Sequence, residues 1–162
     1  MLLIVFATAH AALGAPAIDF SLRSLDERTV TGQALRGKVV VLAFGAAWLP
    51  LSRAQVEGVQ KLADEYGKRG VEVFWVSTDS DSEKSKNYAA DDQLRAFARK
   101  HGLKVAVLRD PDGQVSKQMG VDQLPALVII DRQGDVSGAP IGGLDPSGNL
   151  TEKLAPRLDK LL

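Results

Sequence analysis

Chemistry needs lone pairs or titratable groups held where a reacting atom can reach them, and this chain offers few in a pattern. Ser52 lies at the end of the stretch Trp48-Leu49-Pro50-Leu51-Ser52-Arg53. A serine hydroxyl is a poor nucleophile until a neighbouring base takes its proton. The two histidines are His10 and His101. His10 falls in an apolar N-terminal run. His101 falls at the end of an expected helix, where a charged ring favours the helix dipole. A hydrolytic role for Ser52 therefore finds no obvious base. Asp79, Asp81 and Glu83 alternate like the first carboxylates of a calcium loop. Such a loop needs glycine at its sixth position, and Lys84 stands there, so a solvated loop is the better reading. The 162 residues include no cysteine. That excludes a disulfide framework, a thiolate nucleophile and a cysteine metal site. Nothing in the pattern asks for a metal or a cofactor.

Twenty basic and twenty acidic residues cancel. Nucleic acid is not an expected partner, because phosphate binding needs a basic patch and no run of the sequence supplies one. Nor is there a polybasic run for anionic lipid. A hydrophobic content of 45% with 25% charged residues is that of an ordinary soluble domain. The length suits one domain with a substantial core. Met1 to Gly14 is an apolar run of signal-peptide length, with small residues at Ala9/Ala11 and Ala12/Gly14 for cleavage. It is shorter than the roughly 20 residues that span a bilayer. No lysine or arginine precedes it, so an N-terminal strand or an uncleaved anchor stays open. The reading adopted is a signal over residues 1–14, export to the periplasm or beyond, and one domain over 15–162 without a membrane span.

The elements follow from periodicity. Val39 to Phe44 is continuously apolar, as in a strand buried on both faces of a parallel sheet. Before it, residues 15–22 alternate as a half-exposed strand, Thr29 to Thr31 returns as a hairpin, and Gln33 to Gly37 makes one helical turn. After it, Val56, Val59, Leu62, Ala63 and Tyr66 recur at helical spacing, and Gly67 and Gly70 end the helix. Val71 to Val76 is a second strand and Ser77 to Asp92 a polar loop. Asp92 is expected to cap a helix with Leu94, Phe97 and Ala98 inward, ending at His101-Gly102. Lys104 to Leu108 is a short strand, Asp110-Pro111-Asp112-Gly113 a turn, and Val115 to Met119 a brief helix. Leu127 to Asp131 is a third clear strand, with Val136 returning. Gly142-Gly143 and Asp145-Pro146 are loop. Thr151 begins a last helix carrying Leu154, Leu158, Leu161 and Leu162. Pro156 is tolerated only near a helix start, so that boundary is expected to slide toward it.

Phe44-Gly45-Ala46-Ala47-Trp48-Leu49-Pro50-Leu51-Ser52-Arg53 resembles the active-site turn of the TlpA/ResA-like branch of thioredoxin-fold proteins, within the wider AhpC/TSA redoxin group. That branch reads F-W-A-T-W-C-P-P-C-R here. The tryptophan, the first proline and the arginine match; Leu49 and Ser52 stand where the two cysteines belong. A second motif, V-D-x-L-P-x-L-V-I-I-D-x-x-G from Val121 to Gly134, is similar to the segment carrying the family's cis-proline, and puts Pro125 there. The resemblance covers roughly residues 15 to 160. It implies an α/β thioredoxin-like fold: a mixed central sheet flanked by helices on both faces, with an N-terminal β-hairpin and a β-α insertion.

The resemblance also implies thiol-disulfide or antioxidant activity, and the residues argue against it. Disulfide exchange needs a thiolate, and neither Leu49 nor Ser52 supplies one. The family's acid three residues after the second cysteine is Gln55 here, which does not titrate, and its later proline is Glu57. No catalytic residue is assigned; Leu49, Ser52 and Gln55 are degenerate motif positions. What the resemblance leaves is a groove bordered by Trp48, Leu49, Pro50, Leu51, Leu124 and Pro125. It would hold an extended segment of another envelope protein. The competing readings are leucines packed over a disused site, and an oxidoreductase by family similarity.

Overall fold

Six consecutive apolar residues followed by glycine give β3, Val39–Gly45, every residue of which is buried. A strand with no exposed face must lie inside a sheet covered on both sides. The computed structural model describes residues 17–143 and 149–162. The expected signal at 1–14 and the Asp145-Pro146 loop lie outside the described residues. The sheet has six strands: β1 (Ser21–Ser24), β2 (Thr29–Thr31), β3, β4 (Val71–Ser77), β5 (Val107–Arg109) and β6 (Ala126–Ile130). Their order is β2-β1-β5-β4-β3-β6. β3 pairs parallel with β4 from Val39↔Val71 to Gly45↔Ser77 and antiparallel with β6. β5 joins β4 in parallel and β1 antiparallel. This is the expected mixed thioredoxin-like sheet with its leading hairpin.

Alternate residues of β3 feed two cores. Val39, Val41 and Ala43 face α1 (Pro50–Tyr66), α2 (Asp91–Lys100) and α4 (Leu150–Leu158), through Val56, Val59, Leu62, Leu94, Leu154 and Leu158. Val40, Leu42 and Phe44 face the other way, against Phe20, Leu22 and α3 (Gln114–Gln118) through Val115. Gly58 lets α1 and α4 approach: a Cβ there would lie 3.0 Å from that of Leu150.

Several boundaries differ from the periodicity. β1 begins at Ser21, because Ile18 donates its amide to Gly134 instead of a ladder partner. β5 begins at Val107, because Gln60 Oε1 accepts from the amides of Lys104 (2.7 Å) and Val105 (3.3 Å). Ser77 ends β4 instead of opening the loop. Asp92 does not cap α2: the cap is Ala90, whose amide goes to Gln93 Oε1, and Asp91 and Asp92 lie in the first turn. α4 begins at Leu150, capped by Asn149 Oδ1, and keeps Pro156 inside it. Leu150, Leu154 and Leu158, one turn apart and buried, outweigh the hydrogen bond that proline removes near the helix end.

A partly buried ion cluster ties the hairpin to α2 and β5. Arg23 grips Asp91 through Nη1 at 2.7 Å and Nη2 at 3.1 Å. Arg109, 4% exposed, brings Nε to 3.5 Å of the same carboxylate. The Arg23 hydrogen bond, against the opposing effect of burial, holds the Asp91 carboxyl below its ordinary range. A carboxyl depressed in the fold stabilises it above the unfolded pKa, and that stability is lost as pH falls through the folded value. Asp91→Asn is expected to cost about 1–3 kcal/mol at pH 7, since Arg109 stays buried beside a neutral amide. The loss should shrink below about pH 4. Urea midpoints at pH 7 and pH 3 check this; equal losses at both would remove charge from the explanation.

Candidate functional site

The parallel strands β3 and β4 end side by side, and the chain must turn sharply from β3 into α1. Gly45, Ala46 and Ala47 make that passage without bulk. Leu49 is the extended residue before α1 and Pro50 its first helical position, where a missing N–H costs nothing. The Leu49 amide bonds Ala46 O at 3.1 Å, and the Ser52 amide bonds Leu49 O at 3.0 Å.

Three side chains hold this turn. Ser52 is fully buried, and its Oγ accepts from the Ala46 amide at 3.0 Å. Asp79, 1% exposed, accepts the Ala47 amide with both oxygens, at 3.1 and 2.9 Å. Thr78 donates to Gly45 O through Oγ1 at 3.2 Å and through its amide at 2.9 Å. Asp79 also accepts from Ser77 Oγ at 2.8 Å, and that hydroxyl in turn lies 3.4 Å from Arg109 Nη1. The expectation of a solvated acidic loop is thus corrected at Asp79. It is drawn inward as the loop leaves β4, while Asp81 and Glu83 stay exposed.

Gln55 sits beneath the turn, 5% exposed. Its Nε2 donates to Phe44 O (3.3 Å) and Ala126 O (3.2 Å), and its Oε1 accepts from Trp75 Nε1 at 3.3 Å. Trp75 stacks on Phe97, ring centres 5.3 Å apart, and Phe97 meets His101 at 4.7 Å. His101 therefore belongs to an aromatic row at the end of α2. Ser52, sealed from solvent and committed to the turn, cannot present its oxygen to a substrate.

The six groove residues separate. Trp48 (51% exposed) and Leu51 (44%) project into solvent. Pro50 is exposed, Leu49 and Leu124 are half-buried, and Pro125 is buried behind a cis Leu124–Pro125 bond. Trp48, Leu49 and Leu124 line a cleft of about 480 Å³ together with Thr78, Gly113, Ser116 and Val121 to Gln123. Pro50, Leu51 and Pro125 do not line it. Thr78 and Ser116 were not anticipated. The Asp110-Pro111-Asp112-Gly113 turn did signal this wall: Asp110 accepts from the Val115 (3.1 Å) and Ser116 (2.8 Å) amides and so places Ser116.

No thiol, titrating acid or free hydroxyl reaches solvent at the two motif positions and Gln55, so their chemistry is structural. Gln55→Glu tests this. The amide donates twice and accepts once; an ionised carboxylate would face two carbonyl oxygens, which raises its pKa. A raised carboxyl pKa leaves the fold unharmed below the unfolded value, near 4.3, and destabilises it as pH rises. The variant should lose more stability at pH 8 than at pH 5, by about 1.4 kcal/mol for each unit by which the folded pKa lies above pH 5. Urea denaturation at both values reads this, and a pH-independent loss would refute it.

Comparison with known proteins places this geometry. Residues 13–139 match the AhpC/TSA family. The chain is 32% identical over 129 residues to the thioredoxin-like protein YneN of Bacillus subtilis, covering 80% of this chain and 71% of that one. It is 25% identical over 131 residues to the thiol-disulfide oxidoreductase ResA of Halalkalibacterium halodurans, covering 81% and 69%. Among solved structures it is similar to Mycobacterium tuberculosis DsbF, with TM-score 0.69, 26% identity, and 88% of this chain and 95% of that one covered. It is likewise similar to the exposed lipoprotein thioredoxin Etrx1 of Streptococcus pneumoniae, with TM-score 0.67, 25% identity, and 89% and 100% covered. With the fold, the cis proline and the helix-capping turn in place but no sulfur at either motif position, the chain is a cysteine-less member of the AhpC/TSA family, similar to its TlpA/ResA-like thiol-disulfide oxidoreductases.

Proposed function

We propose that this chain is a redox-inactive binding or accessory module that holds an extended segment of another envelope protein. The observation that carries this reading is the contrast across the turn. Its buried half, Ser52 and Gln55, is spent on internal hydrogen bonds. Its outer half leaves two apolar side chains exposed: Trp48, which lines the open cleft, and Leu51, which lies outside its lining. Aromatic anchors at a concave site are the usual source of binding energy. An exported location goes with this reading. It rests on the apolar run at the N-terminus and on the similarity to a protein described as an exposed lipoprotein.

Trp75 is buried and Trp48 exposed, so a segment that covers the cleft should shift Trp48 emission to the blue. A library of extended peptides from envelope proteins, titrated against the intact chain, is expected to contain binders that do so. Trp48→Ser should weaken them at least about tenfold, as loss of a central aromatic anchor does. Binders unaffected by that change would move the surface elsewhere, and their absence would favour leucines merely packed over a disused site. The intact chain should show no insulin reduction above background. Leu49→Cys with Ser52→Cys should form a disulfide on mild oxidation if the turn has the family's geometry.

A further inference from the structure

A second cleft, of about 450 Å³, opens on the flank of the sheet away from the Trp48 turn. Its walls are the β1–β2 turn, the outer side of α2 and the segment leading into β5. Four of its residues are cationic, Arg28, Arg95, Arg99 and Lys104, and one, Asp26, is acidic. In a chain whose charges cancel, this convergence from three segments is a local excess. Two cations are already matched: Arg28 to Asp26 at 2.5 Å and Arg95 to Asp92 at 2.7 Å. Arg99 and Lys104 are exposed, and neither side chain makes an ion pair among the described residues.

The walls are held in place without a ligand. Arg95 donates to Leu25 O across the cleft. The Leu25 amide bonds Val107 O at 3.0 Å, and Gln60 Oε1 fixes the Lys104 and Val105 amides. Among the described residues the ends of Arg99 and Lys104 make no hydrogen bond or ion pair. The cleft's lining also includes apolar Leu25, Ala98 and Val107, each less than 10% exposed. A preformed cleft of this size is suited to a small molecule, and its chemistry selects one with two parts.

We propose that this cleft binds a small organic anion, a phosphate or carboxylate head carried on an apolar body. The head takes charge-assisted hydrogen bonds from Arg99 and Lys104, and the body lies over Leu25, Ala98 and Val107. The site is separate from the Trp48 cleft and does not depend on the function proposed for it.

The test is amide NMR on the intact, isotope-labelled chain titrated with phenyl phosphate. Saturable shifts are expected at Ala98, Arg99 and Lys104 to Val107. Inorganic phosphate alone should bind more weakly, which separates the apolar body from the head. Arg99→Gln with Lys104→Gln should weaken phenyl phosphate at least about tenfold, since both charged donors to the head are lost. Both residues are exposed, so the fold should survive, and the variant's spectrum checks that. Trp48→Ser should leave the binding unchanged. The proposal is overturned by shifts centred on Trp48 and Leu124, by equal affinity in the double variant, or by no saturable shift. Equal affinity for inorganic phosphate would overturn the role of the apolar body.

Discussion

A side chain at position 45 would have nowhere to go. A Cβ there would lie 2.8 Å from Ser52 Oγ, 2.9 Å from Gln55 Oε1 and 3.1 Å from Trp75 Nε1. Three polar side chains from α1 and β4 close on the last residue of β3, and each spends its hydrogen bonds there. Buried polar groups must be satisfied internally or they cost more than they contribute. Here one amide side chain serves two carbonyls and an indole at once, and one hydroxyl serves the turn. The geometry of the site therefore persists without the reagent that relatives place on it.

A line of polar contacts extends outward from the same point. Asp79 grips the Ala47 amide, Ser77 bridges Asp79 to Arg109, and Arg109 lies against the Asp91 carboxylate that Arg23 binds. These residues come from the ends of β4, α2, β5 and β1, elements distant in sequence. The charges of Asp79 and Arg109 are buried, which is favourable only with good partners. Arg109 Nε lacks a hydrogen bond of normal geometry, so the Asp91 carboxylate carries most of its compensation. Through Arg109 the ion cluster reaches Ser77, whose hydroxyl donates to Asp79, so it joins the hairpin to the turn.

Much of this was legible in the sequence, for physical reasons. A run of apolar β-branched residues has one stable place, inside a covered sheet, and β3 and β4 are found there. Helical spacing located α1, because Val56, Val59 and Leu62 fall on one face. Strand ends were less legible. β5 starts late because a glutamine side chain takes two amides that periodicity would give to a ladder. Asp79 was hidden for another reason. In sequence it is the first of three alternating carboxylates with nothing to distinguish it; only its position just past the buried end of β4 separates it from Asp81 and Glu83. Of the six groove residues, the motif could indicate the neighbourhood but not the burial. Pro125 falls behind the surface, while Leu51 projects from the first turn of α1 away from the cleft lining.

The two halves of the turn now answer to different demands. In a thiol enzyme, a helix N-terminus and a nearby acid serve a sulfur that must reach solvent and change charge. Here the helix N-terminus faces Leu49, which cannot change charge, and the position of the acid holds an amide that cannot either. The inner half of the site has become a neutral, satisfied piece of core. The outer half has not closed over: Trp48 stays half in solvent beside a cleft whose floor includes Thr78 and Ser116. An exposed tryptophan alone is ordinary. An exposed tryptophan on a turn whose backbone three independent side chains hold is positioned by the fold itself, and that is the condition under which a contact there would cost least to form.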